Sequence, residues 1–585
     1  MTLCLRLSLV ALSFFSSFPT VSAQSRDLDG VWGARRRFGP DVRGTLTLTR
    51  HQREQEGLAW TAEITSHRVA AKESGGWVSF ELPGDRGHFR GRLDGEGPIV
   101  GHWTQPETRH AGMPCASPVV LEPTGAGGWR GEVVPLDDEF TFFLVVQARE
   151  DGSNGAFLRN PDRNFGVFAV ADRVERREDE VRLLGTWRGR DQETVLSRGA
   201  YFDWNDSFTL NLRGASFDFR RVEDGESEFY ARGRDPKPWS YRAPPQLDDG
   251  WEVATLEEVG MEAGPIAELV ETIIDPPAES LDTPYVHGML IARHGKLVVE
   301  EYFHGFHRDV PHDTRSASKS LTSFLVGAAM QAGDPVDLGM SVYETVGAPY
   351  DHDDLDPRAS AMTLEHLLTM TSGIDCDDRD SGSPGNEDTL QSQEENPDWY
   401  DYTLRLDMLR EPGELAVYCS VNPNLVGNVL TAATGRPLET LFHDRVAEPL
   451  DFGRYHLYLQ PTGEWYMGGG SFFLARDFMK LGQVVMDGGT WNGRRVISPD
   501  FANDSVEPLV DIRGRDYGYL WWIAELPYRD GSVKGFFAGG NGGQVVMGVP
   551  ELELVVLFYA GNYSDDVMYR IQEELVPEFV LRAIE

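Results

Sequence analysis

The proline-rich segment Arg234–Gly250 constrains the possible fold of this chain more than any other feature. It reads RDPKPWSYRAPPQLDDG and contains four prolines within a chain of 585 residues. Proline has no backbone N–H to donate and breaks both helices and sheet ladders, so this segment predicts a linker. Because the chain is too long for one hydrophobic core, we predict four parts: residues 1–23, a signal peptide; 24–234, a β-rich N-terminal domain; 235–250, the linker; and 251–585, a second domain.

Short runs of alternating apolar and polar residues fill the part of the sequence before the linker. The clearest runs are Gly44–Arg50, Trp77–Leu82, His88–Leu93, Ser207–Leu212 and Ser216–Val222. A period of two predicts strands, and evenly spaced short strands predict an all-β antiparallel sandwich or barrel. Near the start, Gly30-Val31-Trp32 has a Gly-x-Trp form that resembles lipocalin-like barrels. A buried tryptophan at the end of any barrel would explain these residues equally well.

The part after the linker alternates between helical and strand patterns. Met261–Ile274 has a helical pattern, and His287–Phe306 contains two apolar strands around the turn at His294 and Gly295. The sequence returns to strands in Phe536–Asn562 and then ends with a further helical pattern. Strands at both ends with helices between them predict one α+β domain whose sheet is built from both ends of the domain.

Composition and the N-terminus restrict the class of partner and the location. The formal net charge of −39 argues against nucleic acid, because binding to its phosphates needs a basic surface. At the N-terminus, Arg6 precedes an apolar stretch that ends in the small-x-small sequence Val21–Ala23. This pattern predicts a signal peptide cleaved near Ala23 and export to the periplasm or the medium, with a membrane anchor as the alternative. No later stretch approaches about 20 apolar residues, so we expect no transmembrane helix.

Ser316 and Lys319, at the start of TRSASKSLTSFLVGAAM, form a candidate catalytic pair. Residues three apart lie on the same face of a helix. If that helix begins near Asp313 or Thr314, the serine lies in the first turn, where unpaired N–H groups favour a developing oxyanion. A serine hydroxyl needs a neighbouring base, and burial would lower the lysine pKa from about 10.4 so that the amine could accept the proton. The alternative is a solvated first turn, because S-x-x-K occurs by chance in many chains.

Four motifs, in this order, resemble those of one enzyme superfamily. They are SASK at Ser316–Lys319, LLTMTSG at Leu367–Gly373, PGELAVYCSVNPNLVG at Pro412–Gly427 and GGNGGQ at Gly539–Gln544. Together they resemble the serine β-lactamase and penicillin-recognising superfamily, in which S-x-x-K carries the nucleophile. The similarity is greatest to the class C-like branch, which holds esterases, D-amino-acid peptidases and 6-aminohexanoate-oligomer hydrolases. It extends from about Trp251 to Glu585 and implies a β-lactamase-like fold for this part of the chain.

The resemblance implies a role for each matching residue. Ser316 would be the acylated nucleophile, and Lys319 would share its proton. Tyr418 matches the tyrosine of the Y-x-N box, which acts as general base and then as acid to the leaving group; a neighbouring ammonium would lower its pKa for this role. The backbone N–H groups of Ser316 and Gln544 would form the oxyanion hole, each contributing about 3–4 kcal/mol. Considered alone, a tyrosine near a turn is more often a packing residue.

Two positions depart from the family pattern. Ser420 stands where the family usually has asparagine, although its hydroxyl can still donate a hydrogen bond. Asn541, Gly542 and Gly543 stand in the third box, where the family has a lysine or histidine at the first position. The resemblance implies that these residues bind substrate. Because Asn541 is neutral, we expect a neutral ester or amide rather than a β-lactam or a peptidoglycan carboxylate.

Three cysteines follow the predicted signal peptide, namely Cys115, Cys376 and Cys419. The resemblance places Cys376 and Cys419 at the same cleft, so a disulfide between them is one hypothesis and two separate buried thiols are the other. The acidic loop Asp375–Asp388 lies beside this cleft, where it either shapes substrate access or is a solvated surface loop.

The sequence predicts neither a metal nor a cofactor. It has no HExxH motif and no CxxC pair, and His304 and His307 are more typical of surface or packing residues than of metal ligands. The G-x-S-x-G motif of α/β-hydrolases is also missing. We therefore predict a serine hydrolase that cleaves a small-molecule ester or amide through an acyl-Ser316 intermediate. Two alternatives remain, a slowly acylating or non-catalytic sensor of the same fold and ligand binding by the N-terminal domain, and the oligomeric state is open.

Overall fold

The computed structural model of the protein describes residues 28–51, 60–108, 112–125, 127–160, 169–187, 190–212, 214–222, 228–275, 284–347, 350 and 355–585. The predicted signal peptide, residues 1–23, lies outside the described residues, and export stays a prediction. Among the described residues, no helix combines the length and the apolar character needed to span a membrane.

The strands before the proline-rich segment account for most of the N-terminal half. They are β1 (Gly30–Gly39), β2 (Gly44–Arg50), β3 (Trp60–Ile64), β4 (His67–Ser74), β5 (Trp77–Glu81), β6 (His88–Leu93), β7 (Ile99–Gln105), β8 (Cys115–Gly125), β9 (Gly128–Val133), β10 (Asp138–Ala148), β11 (Asn154–Arg159), β12 (Ala169–Arg177), β13 (Glu180–Trp187), β14 (Thr194–Phe202), β15 (Ser207–Leu212) and β16 (Ala215–Val222).

The C-terminal half contains strands, α-helices and shorter helical turns. Its strands are β17 (Glu252–Val253), β18 (Val286–Arg293), β19 (Lys296–Tyr302), β20 (His312–Asp313), β21 (Tyr455–Tyr458), β22 (Phe472–Phe473), β23 (Thr490–Trp491), β24 (Arg494–Arg495), β25 (Val510–Ile512), β26 (Arg515–Tyr517), β27 (Trp522–Tyr528), β28 (Gly531–Gly540), β29 (Gln544–Val549) and β30 (Leu554–Ala560). Its helices are α1 (Ala263–Ile274), α2 (Ser318–Gln331), α3 (Val342–Val346), α4 (Leu364–Leu368), α5 (Glu387–Ser392), α6 (Trp399–Leu404), α7 (Val421–Thr434), α8 (Leu438–Phe442), α9 (Ala475–Met486) and α10 (Pro499–Asp504), with a 3-10 turn at Arg315–Ala317 and a π-helical segment at Ile571–Leu581.

Strands β1 and β10–β16 form a closed barrel, in which β1 pairs with β16 to complete the ring. Trp32 of the Gly-x-Trp sequence is fully buried, and its ring centroid lies 4.8 Å from that of Phe208. The indole Nε1–H donates to the carbonyl of Leu28, and the Arg221 guanidinium lies over the ring. The predicted all-β fold of the N-terminal half is confirmed, and this part of it is a barrel rather than a sandwich.

Strands β2–β9 form a second antiparallel ring, because β9 pairs with both β2 and β8. Its interior is filled by large aromatic side chains, among them Trp60, Trp103 and Trp129, which are all at most 1% exposed. Strand β8 also pairs with β21 of the C-terminal half, where Ala116 is opposite Leu457 and Cys115 is opposite Tyr458. This ring is therefore hydrogen-bonded to the C-terminal domain through one shared strand.

The C-terminal domain is built on a nine-stranded sheet in the order β17-β19-β18-β30-β29-β28-β27-β26-β25. The strands come from both ends of the domain, as predicted. The central strands β18 and β30 are buried along almost their whole length, because helices cover both faces of the sheet. α1 and the Ile571–Leu581 segment pack on one face, and α2 and α9 pack on the other. The predicted α+β class is confirmed.

Helices α2 and α7 lie at the centre of this domain and are buried on nearly all sides. A helix can be buried all round only if its polar side chains find partners. On α2, the hydroxyl of Ser320 donates to the carbonyl of Leu520 and that of Thr322 donates to the carbonyl of Met467. The residues at the N-terminal ends of these two helices are consequently held in fixed positions.

The chain separates into two compact units. The first consists of Met1–Ala34, Phe142–Arg159 and Gly166–Asp224, and the second of Arg35–Thr141, Asn160–Phe165 and Gly225–Glu585. Residues of the predicted 24–234 domain fall into both units, and the second ring belongs with the C-terminal domain. The boundaries at residues 234 and 250 stay predictions from the sequence.

Candidate active site

Ser316 lies in the 3-10 turn Arg315–Ala317, which leads directly into α2 at Ser318. The α-helix therefore begins later than the sequence suggested, and the serine is in the turn before it. Arg315 adopts a left-handed backbone conformation with φ of 46°, which costs energy for a residue with a side chain. The carboxylate of Asp313 accepts the Arg315 backbone N–H at 3.0 Å and forms an ion pair with its guanidinium at 2.9 Å. These contacts hold the strained turn that presents the serine.

Lys319 is on the first turn of α2, and 1% of its surface is exposed. Its Nζ donates to the Oγ of Ser316 at 2.9 Å and to the backbone carbonyl of Gly468. The predicted serine–lysine contact is thus present, and the ammonium is directed away from solvent. Ser318, the other serine of the motif, donates its hydroxyl to the carbonyl of Arg315 instead.

Tyr418 reaches the same point from the turn that precedes α7. Its phenol is close to both residues, since the charge of Lys319 and the hydroxyl of Ser316 each act to lower its pKa. The ammonium of Lys319 is 5.2 Å from the centroid of the tyrosine ring, and this ring stacks on Trp522 with centroids 5.5 Å apart. Three side chains from two distant parts of the sequence therefore meet at one point of the structure.

The third motif forms the tight turn between β28 and β29. Gly542 and Gly543 have φ values of 95° and 96°, and a Cβ on Gly543 would lie 2.6 Å from the side chain of Ile571. Only glycine fits there. The side chain of Asn541 accepts the Ser564 N–H at 2.7 Å, and the buried amide of Gln544 donates to the carbonyl of Ala560 at 2.6 Å. Both side chains are thus used to hold the turn, and the backbone of this strand lies beside the serine.

Ser420 is buried and points at a carboxylate that the sequence did not single out. Its hydroxyl and its backbone N–H donate to one oxygen of Asp378 at 2.6 Å and 2.9 Å. The other oxygen of Asp378 accepts the backbone N–H of Glu387 at 3.0 Å. The side chain of Glu387 in turn accepts the hydroxyl of Tyr466 at 2.7 Å. A pair of acidic residues therefore lies directly behind the Tyr418 turn.

These acidic residues change the protonation of the cluster. Burial by itself lowers the pKa of Lys319, but the negative charges that surround the amine raise it by more, and its net pKa is above the ordinary value. The largest contribution comes from the ionised form of Tyr418, followed by Glu387 and Asp378. Burial raises the pKa of Tyr418, and the opposing effects of the ammonium and of Ser316 do not cancel this rise. Burial and Glu387 also raise the pKa of Asp378, to about 6.

Two expectations from the sequence are therefore wrong. Burial does not leave Lys319 as a neutral amine, and the ammonium does not bring the pKa of Tyr418 below its ordinary value. The physical reasons differ, because burial is the largest cause of the raised pKa of Tyr418, whereas for Lys319 the surrounding negative charges outweigh burial.

A disulfide bond joins Cys376 to Cys419, with the two Cα atoms 5.8 Å apart. Cys419 separates Tyr418 from Ser420, and Cys376 is two residues before Asp378. The covalent link therefore fastens the acidic loop to the turn that carries the tyrosine. Cys115, the third cysteine, is buried and is not part of a disulfide.

A pocket of about 450 Å³ opens beside Ser316. Tyr418, Asp378 and residues of β28 and β29 line it, together with apolar residues such as Trp522 and Phe537. Gln544 and Gly543 also line this pocket, whereas Ser420 does not. The acidic loop Asp375–Asp388 thus contributes Asp378 to the pocket itself.

The histidines of the YFHGFH sequence are not arranged as metal ligands. His304 is buried and its Nδ1 hydrogen-bonds to the carbonyl of Glu228 at 3.1 Å, whereas most of the His307 side chain is exposed. In the part of the chain that the structure describes, no group of three or more His, Cys, Asp or Glu side chains could hold a metal ion.

Comparison with known proteins agrees with this arrangement. The profile of the family described as Beta-lactamase matches residues 280–572, half of the 585-residue chain. The chain belongs to the beta-lactamase family. This membership confirms the predicted superfamily and the predicted type of enzyme, a serine hydrolase of the beta-lactamase type.

Individual relatives of this beta-lactamase family member are distant. The 6-aminohexanoate-dimer hydrolase of Paenarthrobacter ureafaciens is 26% identical over 299 residues, which are 48% of this chain and 73% of that protein. The unliganded simvastatin synthase of Aspergillus terreus is 18% identical with a TM-score of 0.42, and the match covers 55% of this chain and 98% of that one. A penicillin-binding protein homologue from Caulobacter crescentus is 16% identical with a TM-score of 0.41, covering 53% and 96%.

Sequence reasoning missed several residues of this beta-lactamase family site. Asp378 and Glu387 were both part of an acidic loop that was predicted either to shape substrate access or to be a solvated surface loop. The available signal for Asp378 was Ser420, which stands where the family usually has asparagine. A hydroxyl in place of an amide suggests a different hydrogen-bond partner. Arg513 and Arg515, which line the outer part of the pocket, gave no pattern in the sequence.

Proposed function

We propose that the protein hydrolyses an ester or amide through an acyl-enzyme intermediate on Ser316. The observation that carries this proposal is the hydrogen bond between Lys319 and Ser316, with the ring of Tyr418 5.2 Å from the ammonium and with Ser316 and Tyr418 lining the same pocket. A serine hydroxyl becomes a nucleophile when a neighbouring group takes its proton. The family match supports the same reaction class.

In the proposed reaction, Tyr418 moves the proton while Lys319 keeps its positive charge. The phenolate form of Tyr418 takes the proton of Ser316 as Oγ forms a bond to the substrate carbonyl carbon. Tyr418 then gives that proton to the leaving oxygen or nitrogen as its bond to this carbon breaks, leaving an acyl-serine. A water molecule reverses these steps and releases the acid. The backbone N–H groups of Ser316 and Gln544 are the proposed donors to the oxyanion.

The pocket also bears on the substrate. The neutral side chain of Asn541 suggested a neutral substrate. That side chain accepts a hydrogen bond from the backbone N–H of Ser564 and brings no charge to the pocket. Charged residues that do line the pocket are Asp378 and three arginines. The relative from Paenarthrobacter ureafaciens is named 6-aminohexanoate-dimer hydrolase, and two amino acids are ordinarily joined by an amide bond. We therefore include amides with esters as candidate substrates.

A second candidate function is a sensor that is acylated slowly. The raised pKa values of Lys319 and Tyr418 favour this alternative, because at neutral pH only a small fraction of the cluster is in the base form. A sensor would release one equivalent of leaving group and then stop.

The test is hydrolysis of a para-nitrophenyl ester at pH 7 and pH 9, with intact-mass analysis of the protein. We expect many turnovers by the wild type and an acyl adduct on the peptide that contains Ser316. Ser316→Ala should lose both, whereas Ser318→Ala, which removes the neighbouring hydroxyl, should keep the adduct. A stoichiometric burst without turnover at both pH values would favour the sensor, and an adduct on another residue would refute the assignment of the nucleophile.

A further inference from the structure

Three arginine side chains line the outer part of the active-site pocket. Arg379 comes from the acidic loop, and Arg513 and Arg515 come from the hairpin formed by β25 and β26. The side chains of Arg513 and Arg515 are about half exposed, at 49% and 50%. They therefore remain available to a molecule that enters the pocket.

Two of these arginines are held in place by partners that lie outside the pocket lining. Arg513 pairs with Asp377, and Arg515 pairs with Glu573 at 3.2 Å. The guanidinium of Arg515 also lies 5.7 Å from the ring centroid of Tyr569. A guanidinium has five N–H donors, so one carboxylate partner leaves donors for a ligand and also reduces the mobility of the side chain.

The charged residues that line the pocket are mostly basic, whereas the chain as a whole is acidic. The protein has 54 basic and 93 acidic residues, yet the pocket lining contains three arginines and one carboxylate. That carboxylate, Asp378, is at the inner end and is engaged by Ser420 and Glu387. Asp377 and Glu573 offset part of the charge of Arg513 and Arg515, but the guanidinium N–H groups that these partners leave free favour an anionic ligand at this position.

Apolar side chains also line this pocket. They include Ile512, Trp522, Phe537 and Val545, of which all but Trp522 are buried. A pocket of about 450 Å³ has the size of a small-molecule site. The pocket therefore combines the nucleophile, apolar side chains and three guanidinium groups, of which those of Arg513 and Arg515 are about half exposed.

We infer that Arg379, Arg513 and Arg515 form a subsite for an anionic group, and that the preferred substrates are esters or amides with an apolar body ending in a carboxylate. This inference rests on the proposed function, because it assigns the part of the substrate that lies away from the scissile carbonyl. Charge-assisted, two-pronged hydrogen bonds from guanidinium to carboxylate supply the selectivity.

The experiment compares two para-nitrophenyl esters of similar length, the neutral butyrate and the anionic monoester of glutaric acid. We expect the wild type to favour the anionic ester in kcat/KM by about tenfold or more. In Arg513→Gln/Arg515→Gln this preference should fall by about tenfold, mainly through KM for the anionic ester. Raising salt from about 50 mM to about 500 mM should reduce the preference in the wild type. Arg494→Gln, which removes an exposed arginine paired with Glu448 elsewhere on the surface, should leave the preference unchanged.

The outcomes separate this inference from the proposed function. Hydrolysis of both esters with no anionic preference, or a preference that the double variant retains, would overturn the inference and leave the acyl-serine reaction intact. If neither ester is hydrolysed, the proposed function fails, and the anionic subsite is then tested by a binding measurement. Ser316→Ala is then titrated with N-butylsuccinamate and with neutral N-butylbutanamide by tryptophan fluorescence. Tighter binding of the anion that disappears with the two arginine substitutions supports the subsite, and equal binding refutes it.

Discussion

Replacing Asp378 with asparagine would test the electrostatics of the site through the pH dependence of folding stability. Burial and the neighbouring Glu387 raise the pKa of this carboxyl from 3.8 to about 6. At about 1.4 kcal/mol for each pH unit, ionising it at neutral pH costs the folded protein at most roughly 3 kcal/mol. Because the folded state binds this proton more tightly than the unfolded state does, the cost is absent below about pH 4 and complete above about pH 6. Partial exposure to the pocket reduces the cost, and we expect roughly 2–3 kcal/mol.

Asparagine has no charge and avoids this cost, but it has one acceptor fewer. Its amide nitrogen cannot accept the N–H of Glu387, which donates to Asp378 at 3.0 Å, and this loss destabilises the variant by about 1–2 kcal/mol at every pH. Asp378→Asn should therefore be more stable than the wild type by about 1 kcal/mol at pH 7 and less stable by about 1–2 kcal/mol at pH 4. The change of sign with pH is the diagnostic result.

The measurement is guanidinium-induced unfolding, followed by tryptophan fluorescence from pH 4 to pH 8. Asp380→Asn is the matched control, because Asp380 is on the same loop and is exposed, with its carboxylate accepting only the local N–H of Gly382. This control should show no comparable dependence on pH. A difference between Asp378→Asn and wild type that stays constant across the range would refute the reasoning. The same substitution removes one of the charges that raise the pKa of Lys319, so the rise of activity with pH should move to lower pH.

Three further predictions concern the same site. Reducing the Cys376–Cys419 disulfide opens a loop with a sequence separation of 43 residues, which should destabilise the fold by roughly 4 kcal/mol. A thermal melt and an ester assay, each run with and without reductant, should both change, and unchanged curves would contradict this prediction. Because the pKa values of the lysine and tyrosine in the cluster are raised, kcat/KM should increase with pH between 7 and 9, and a flat profile would show that another group is the base. Gly543→Ala should abolish activity while most of the fold survives, since its Cβ would lie 2.6 Å from a buried side chain; near wild-type turnover with an unchanged melt would disprove the close approach.

Features that depend on neighbouring residues were predictable from the sequence. Gly44–Arg50 is a strand with the predicted bounds, and the two strands around His294 and Gly295 form the predicted hairpin, with φ values of 52° and 72° at the turn. Alternation and turn residues are local signals, and they operate within a few positions. The contact between Ser316 and Lys319 was predictable for the same reason, because the 3-10 turn continues into α2 and residues three apart in either kind of helix lie on one face.

Features that depend on distant parts of the chain were not predictable. The raised pKa of Lys319 depends in part on Asp378 and Glu387, whose approach depends on how the acidic loop packs behind the Tyr418 turn. No spacing in the sequence expresses that packing. The alternation pattern of the N-terminal half likewise predicted strands without giving their partners, and so it did not reveal that residues before the linker join two different compact units.

The pairing of β8 with β21 has a consequence for any attempt to isolate the C-terminal half. β21 pairs with β22, and β22 pairs with β20, whose last residue is three positions before the nucleophile. A fragment that starts near Pro236 would lose β8 and leave the backbone of β21 as a bare sheet edge, a template on which other chains can assemble. Poor recovery of such a fragment would therefore reflect self-association at this edge. A useful minimal version would keep Gly44–Val133 attached, or would place a lysine or proline on β21 to block the edge.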